Sequence, residues 1–156
     1  MGKVILSTKQ KELIERIGIF LEHQGLPPAM ARISGLLLVS DRLELTFEEI
    51  YTTLNISKSA ASNSISLLLN THRIEYITKP GDRKRYFKVR IDQWEKMLME
   101  RFQGFSDYIA LIQEIHDQRT KTTKVFNANL KEAISFITFM SEEFPSIYKK
   151  WRKNKK

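Results

Sequence analysis

The sequence predicts a mainly α fold with a small β-hairpin, and two observations carry that prediction. Apolar residues recur at three and four positions along six stretches, the spacing of one helix face. Between Ile74 and Ile91 alone the pattern changes to β-branched residues and strict alternation around Pro80-Gly81-Asp82. With 156 residues, 42% hydrophobic and 28% charged, the chain has enough apolar material for a compact core with helical extensions.

The elements follow in order. Ser7 and Gln10 form a capping box ahead of Leu13, Ile14, Ile17, Phe20 and Leu21, which predicts a first helix over Thr8–His23. Gly25 suits the left-handed conformation that ends a helix, Pro28 suits the start of another, and Met30, Ile33, Leu36 and Leu37 supply the apolar face of a second helix to Val39. Thr46 and Glu49 box a short third helix carrying Phe47, Ile50, Tyr51 and Leu54, which stops near Asn55. Ser57 caps a fourth, Lys58–Asn70, with Ala61, Ile65, Leu68 and Leu69 on one side and Ser59, Asn63, Ser66 and Asn70 on the other. A hairpin over Ile74 to Lys79 and Arg85 to Ile91 comes next. Asp92 and Glu95 are expected to cap a long helix rich in Trp94, Leu98, Phe102, Phe105, Tyr108, Ile109, Ile112 and Ile115. Thr120 to Thr123 break it, and a last helix carries Val125, Leu130, Ile134, Ile137 and Met140 before Pro145 starts or kinks its basic end.

Charge is concentrated rather than spread. The formal net charge is +8, yet residues 55–90 alone hold eight Lys or Arg against two acids, and residues 145–156 hold six Lys or Arg and no acid. Two basic regions on a mildly acidic remainder point to a polyanionic partner met at defined places. The absence of cysteine removes disulfides, thiolate metal sites and thiol nucleophiles, and fits a reducing cytoplasm. His23, His72 and His116 stand singly, with no acid, base, nucleophile or metal set around them, so neither an enzyme nor a metal or cofactor site is expected. Residues 1–10 are too weakly apolar for a signal peptide, and no stretch reaches membrane-span length; a soluble cytoplasmic protein with no membrane partner is the expectation.

A short helix, a three-residue turn and a second helix with a short polar outer face describe a helix-turn-helix, and the basic hairpin behind it makes the unit winged. Helices that enter a major groove need side chains short enough to let the backbone approach and polar enough to bond base edges. Ser59, Ser62, Asn63 and Ser66 meet that need, and Asn can pair bidentately with adenine. Lys58 in the first turn is placed for a phosphate. At the hairpin tip, Lys79, Arg83, Lys84 and Arg85 suit the negative potential of a narrow minor groove. Asp82 among them is expected to orient Arg83 by a charge-assisted hydrogen bond.

Four stretches resemble the MarR superfamily, and specifically its GbsR-type branch: Met30-Ala-Arg-Ile-Ser-Gly-Leu-Leu-Leu-Val-Ser40, Leu45-Thr-Phe-Glu-Glu-Ile50, Ser57-Lys-Ser-Ala-Ala-Ser62 and Pro80-Gly-Asp-Arg-Lys-Arg-Tyr86. The resemblance covers residues 27–89. It implies a transcriptional regulator acting as a homodimer on double-stranded DNA, with recognition helices in successive major grooves of a pseudo-palindromic operator and wings in minor grooves. A small-molecule effector that alters DNA affinity is also implied. By position, the recognition helix falls on Lys58–Asn70 and the wing's Asp-Arg pair on Asp82 and Arg83. The chain departs from the pattern at Thr71-His72-Arg73, where relatives carry Gly before the first wing strand, and at Ala31, where they carry Gly ahead of the arginine.

The winged unit, residues 27–91, is then flanked by dimerisation helices, residues 1–26 and 92–156. Leu13, Ile17 and Phe20, or Val125, Leu130, Ile134 and Ile137, are the expected dimer contacts, because a winged helix of this size closes its own core and leaves both flanking stripes needing a surface. Trp94, Phe102, Phe105 and Tyr108 exceed what so small a unit can bury. They suit self-association or, as a second reading, an aromatic cage for a cationic effector. A winged-helix module that binds protein rather than DNA is the competing function.

Overall fold

The computed structural model describes residues 2–155; Met1 and Lys156, the last cation of the basic tail, lie outside the described residues. The chain forms two compact units, the first ending at Ile91 and the second starting at Asp92.

The first unit runs α1 (Thr8–His23), α2 (Pro28–Val39), β1 (Leu45–Thr46), α3 (Phe47–Leu54), α4 (Lys58–Asn70), β2 (Ile74–Thr78) and β3 (Arg85–Val89). Both halves of the Ser7/Gln10 capping box are made, with Gln10 N donating to Ser7 Oγ at 3.2 Å and Ser7 N to Gln10 Oε1 at 2.9 Å. Helix α1 crosses α2 closely at Gly35, where an added Cβ would lie 2.6 Å from Ile17 Cγ2 and 3.2 Å from Ile14 O. That crossing is held from outside by Arg32, which bridges Glu15 and Glu22. Helix α1 therefore shares a core with the winged unit, since Ile14 packs with Ile33, Leu36, Leu45, Ile50, Leu68 and Phe87.

The hairpin belongs to a three-stranded antiparallel sheet in the order β1-β3-β2, with Leu45 opposite Phe87 and Tyr76 opposite Phe87 from the other side. Strand β1 was not foreseen, because two residues are too few to show alternation; Leu45 and Thr46 qualify only by pairing with β3. Thr46 also caps α3, so one residue ends the strand and starts the helix. Glu49 completes that cap while almost wholly buried, accepting from Thr46 N at 2.9 Å, Thr46 Oγ1 at 2.8 Å and Arg42 Nη1 at 2.6 Å. Burial pushes the Glu49 carboxyl up, but these hydrogen bonds outweigh it and hold the group below the usual carboxylate range.

The second unit begins with a 3-10 turn, Ile91–Gln93, followed by α5 (Trp94–Gln118) and α6 (Lys124–Asn154). Asp92 is not the helix cap expected of it: it sits inside the turn, and Gln93 precedes α5 without a capping side chain. Residues 119–123 reverse the chain, stitched by Arg119 Nε to Asn127 Oδ1 at 2.9 Å and Asn127 Nδ2 to Thr120 O at 3.0 Å. Pro145 lies inside α6, which continues through it to Asn154. Phe102 stacks on Phe144, and Ile109 and Ile134 are buried between the helices.

Two of the expected dimer contacts are used within the chain. Ile134 is buried in the helical hairpin and Ile17 packs against α2, whereas Leu13, Phe20 and Val125 stay exposed at 37%, 57% and 76%. The aromatic residues do not form one cage either. Trp94 packs edge-on against Trp151, Phe102 stacks on Phe144, and Tyr108 is exposed.

Candidate nucleic-acid interface

Helices α3 and α4 are joined by Asn55, Ile56 and Ser57. Asn55 takes the left-handed conformation at φ 52°, which closes α3, and Ser57 Oγ accepts from Ala60 N at 3.1 Å, which opens α4. The turn therefore comes from two residues whose short polar side chains favour those conformations. Along α4, Ala61, Ile65 and Leu68 are buried, while Lys58, Ser59, Ser62, Asn63, Ser66 and Asn70 all face solvent. Lys58 Nζ lies 5.5 Å from the Tyr51 ring centroid, and Ser59 Oγ lies 3.1 Å from Ser57 Oγ, which ties these two residues to the helix start. Ser62, Asn63, Ser66 and Asn70 make no side-chain hydrogen bond among the described residues. Leu67, exposed at 48%, joins them; an apolar side chain there suits a thymine methyl, and its place in an apolar Leu67-Leu68-Leu69 run hid it from sequence reading.

At the end of α4, His72 adopts φ 54°, so a non-glycine residue makes the left-handed turn into the first wing strand. Arg73 N then bonds to Leu68 O at 2.9 Å, which closes the helix end.

The wing tip is built on Pro80 and Gly81. Gly81 at φ 77° and the bond from Asp82 N to Lys79 O at 3.0 Å make a tight turn that a Cβ would strain. Asp82 does not orient Arg83. Its carboxylate accepts from Lys84 N at 2.9 Å and from Tyr86 Oη at 2.6 Å, so it fixes the turn's backbone to strand β3. The Tyr86 hydrogen bond, then that from Lys84 N, keep the Asp82 carboxyl below its ordinary value, and the same bond raises the Tyr86 phenol. Tyr86 is thus a structural partner of the wing that motif reading did not supply.

The four basic residues of the wing fall into two pairs. Lys79 forms an ion pair with Glu44 and lies 4.1 Å from the Tyr86 ring centroid, and the Arg85 guanidinium lies 4.7 Å from that of Tyr76. Arg83 and Lys84 are exposed and make no ion pair among the described residues. Between α4 and β3 runs a groove of about 350 Å³ lined by Phe47, Ser62, Ile65, Ser66, Leu69, Arg85 and Phe87, which brings α4 and the wing together on one surface.

That backbone arrangement, two helices at a tight turn followed by an antiparallel sheet, is similar in fold to a solved structure. A protein described as a transcriptional regulator superposes with a TM-score of 0.73 at 22% identity, covering 93% of this chain and 99% of that one. The fold is a winged helix. No protein-family model matches the chain. Over 96 residues the chain is 29% identical to the HTH-type transcriptional regulator MmpR5 of Mycobacterium tuberculosis, a match covering 62% of this chain and 58% of the length of that relative.

Among the described residues, no group of three or more His, Asp or Glu is placed to hold a metal ion, and no helix is long and apolar enough to cross a membrane.

Proposed function

We propose that this chain is a MarR-type transcriptional regulator that binds duplex DNA as a homodimer, with α4 in the major groove and the wing tip in the adjacent minor groove. The observation that carries the reading is the groove that sets Ser62 and Ser66 of α4 beside Arg85, at the base of a wing whose tip exposes Arg83 and Lys84. Ser62, Asn63 and Ser66 suit base edges, Lys58 suits a phosphate, and Arg83 and Lys84 are the cations available at the tip. Lys79 and Arg85 serve mainly to stiffen the wing, because each is already engaged by an aromatic ring. The motifs Met30 to Ser40 and Pro80 to Tyr86 further support a GbsR-type relative, and the likeness to MmpR5 supports a regulator that acts by binding rather than catalysis. A small effector would act on this DNA affinity. Because the function is carried out on DNA, the cytoplasm is the compartment it requires.

Dimerisation follows from the two-fold symmetry of an operator and from the apolar faces of α1, α5 and α6 that remain exposed. The test is fluorescence anisotropy on the duplex upstream of the chain's own gene, across a series of base substitutions. Asn63→Ala should alter which bases are preferred, and Lys58→Ala should weaken all sequences alike. Absence of duplex binding by the parent at low salt would remove the proposal in favour of a protein-binding winged helix.

A further inference from the structure

The basic end of the chain has no role in the reading head. In sequence it resembles a frayed solubilising tail, yet the structure anchors it. Helix α6 continues to Asn154, and its last turns are fastened to the first turn of α5 by one carboxylate. Glu95 Oε2 accepts from Tyr148 Oη at 2.6 Å and from Arg152 Nη2 at 2.8 Å, and Arg152 Nε donates to Tyr148 Oη at 3.0 Å. Trp151 adds an edge-on contact with Trp94 at 5.6 Å between centroids, and Lys155 Nζ lies 4.7 Å from the Trp151 ring centroid.

These contacts sort the cations. Arg152 is neutralised by Glu95 and Lys155 is drawn to Trp151, but Lys149, Lys150 and Lys153 are exposed and make no ion pair among the described residues. At 3.6 residues per turn those three fall within about 100° of arc, on the side of α6 opposite Trp151. The anchored side is aromatic and the free side is a lysine ridge. The helix dipole favours cations near this terminus and accounts for some of them, but it does not require three on one face. The ridge is also tethered to the reading head in sequence: Glu95 follows Val89, the last residue of β3, by six positions.

We infer that Lys149, Lys150 and Lys153 form an accessory, sequence-independent contact to duplex phosphates, held in place by the Glu95–Tyr148–Arg152 cluster. The inference rests on the DNA-binding reading above. Lysine suits this task because an ammonium on a flexible stem bonds phosphate oxygens without geometric selectivity. Duplex DNA is favoured over an anionic lipid surface because the apolar area beside the ridge is small: Ile147 is half exposed, while Trp151 and Tyr148 are held against α5, which is too little for a helix to insert.

The experiment uses the full chain with Lys149→Gln, Lys150→Gln and Lys153→Gln combined, and a second variant with Arg at all three positions, both checked for parental far-ultraviolet circular dichroism. Affinity is measured across salt concentrations for the parent's preferred duplex and for an unrelated duplex of about three helical turns. The Gln variant should bind both duplexes about tenfold more weakly, with a slope of log affinity against log salt shallower by at least about two, while base preference stays parental. The Arg variant should restore affinity and slope. If the parent binds DNA and the Gln variant keeps its affinity and slope, the ridge does not touch phosphate and the inference is overturned. Loss of binding to phosphatidylglycerol vesicles alone, with duplex binding intact, would overturn it in favour of a lipid surface. If the parent binds no duplex at all, the failure lies with the DNA-binding reading itself.

Discussion

In the first unit Ile33, Leu36, Leu45, Ile50 and Leu68 are each fully buried, and three helices and a sheet share them. In the second, the two buried apolar residues, Ile109 and Ile134, retain 9% and 8% exposure, while Phe105, Phe126, Phe136, Phe139 and Ile147 are half exposed or more. The difference is geometric. A helix-and-sheet unit can surround a core from several sides, but two antiparallel helices have one seam and necessarily leave the rest of each helix outside it. The apolar residues of α5 and α6 occupy more of the helix circumference than one seam can cover. The first unit therefore closes a core within itself although α1 keeps Ile19 and Phe20 exposed, and the second leaves the larger share of its aromatic side chains outside its seam.

This contrast can be broken or sharpened by four measurements. The largest effect is expected in the closed core: Leu36→Ala should cost about 2 to 5 kcal/mol in urea unfolding, because the surrounding side chains cannot collapse into the space, whereas Phe136→Ala on the exposed face of α6 should stay within about 0.5 kcal/mol in the monomer. Similar costs for both would mean that the two units do not differ in this way.

Next, Phe136→Asp combined with Phe139→Asp should leave helix content unchanged, shift sedimentation from dimer to monomer, and weaken operator binding by on the order of 100-fold as the second half-site contact is lost. A double variant that remains dimeric would move the interface to α1, where Leu13 and Phe20 are exposed.

Third, within the first unit, Arg83→Ala should weaken operator binding by about 1 to 3 kcal/mol with an unchanged melting temperature. Lys79→Ala should weaken it less, since Glu44 already offsets that charge. Equal losses in an anisotropy titration would remove the distinction between tip cations and anchored ones.

The smallest effect concerns pH. Glu49 is held below its ordinary carboxyl value in the folded state, so it binds its proton more readily when unfolded. Its contribution is full above the ordinary carboxylate pKa and is lost as pH falls through the depressed folded value. Urea midpoints from about pH 7 to about pH 3 should therefore fall more for the parent than for Glu49→Gln.

Much of the fold was legible because its signals are local. The bounds of α1 and α2 follow from Ser7, Gly25 and the Pro27-Pro28 pair, each of which acts on its own backbone. The polar face of α4 follows from a period that holds over thirteen residues. What escaped depends on partners distant in sequence or on geometry that a pattern does not carry. Asp92 has the sequence of a cap, but the 3-10 turn places it one residue before the cap position, which Gln93 holds. Asp82 was paired with its neighbour Arg83 by proximity in sequence; the hairpin instead brings Tyr86 across to it.

The sequence by itself determined the order of the elements, the position of the turns, the polar face of α4 and the concentration of cations at the wing and the C-terminal end. Capping, periodicity and turn chemistry act within a few residues, and charge is a count. Only the tertiary structure decided which of those cations are free. Lys79, Arg85 and Arg152 look the same in sequence as Arg83, Lys84 and Lys149, and they differ because folding brings Glu44, Tyr86, Tyr76 and Glu95 to the first set, while the second set forms no ion pair among the described residues. A charge is available to DNA only when no closer partner has claimed it, and that depends on which residues folding makes neighbours.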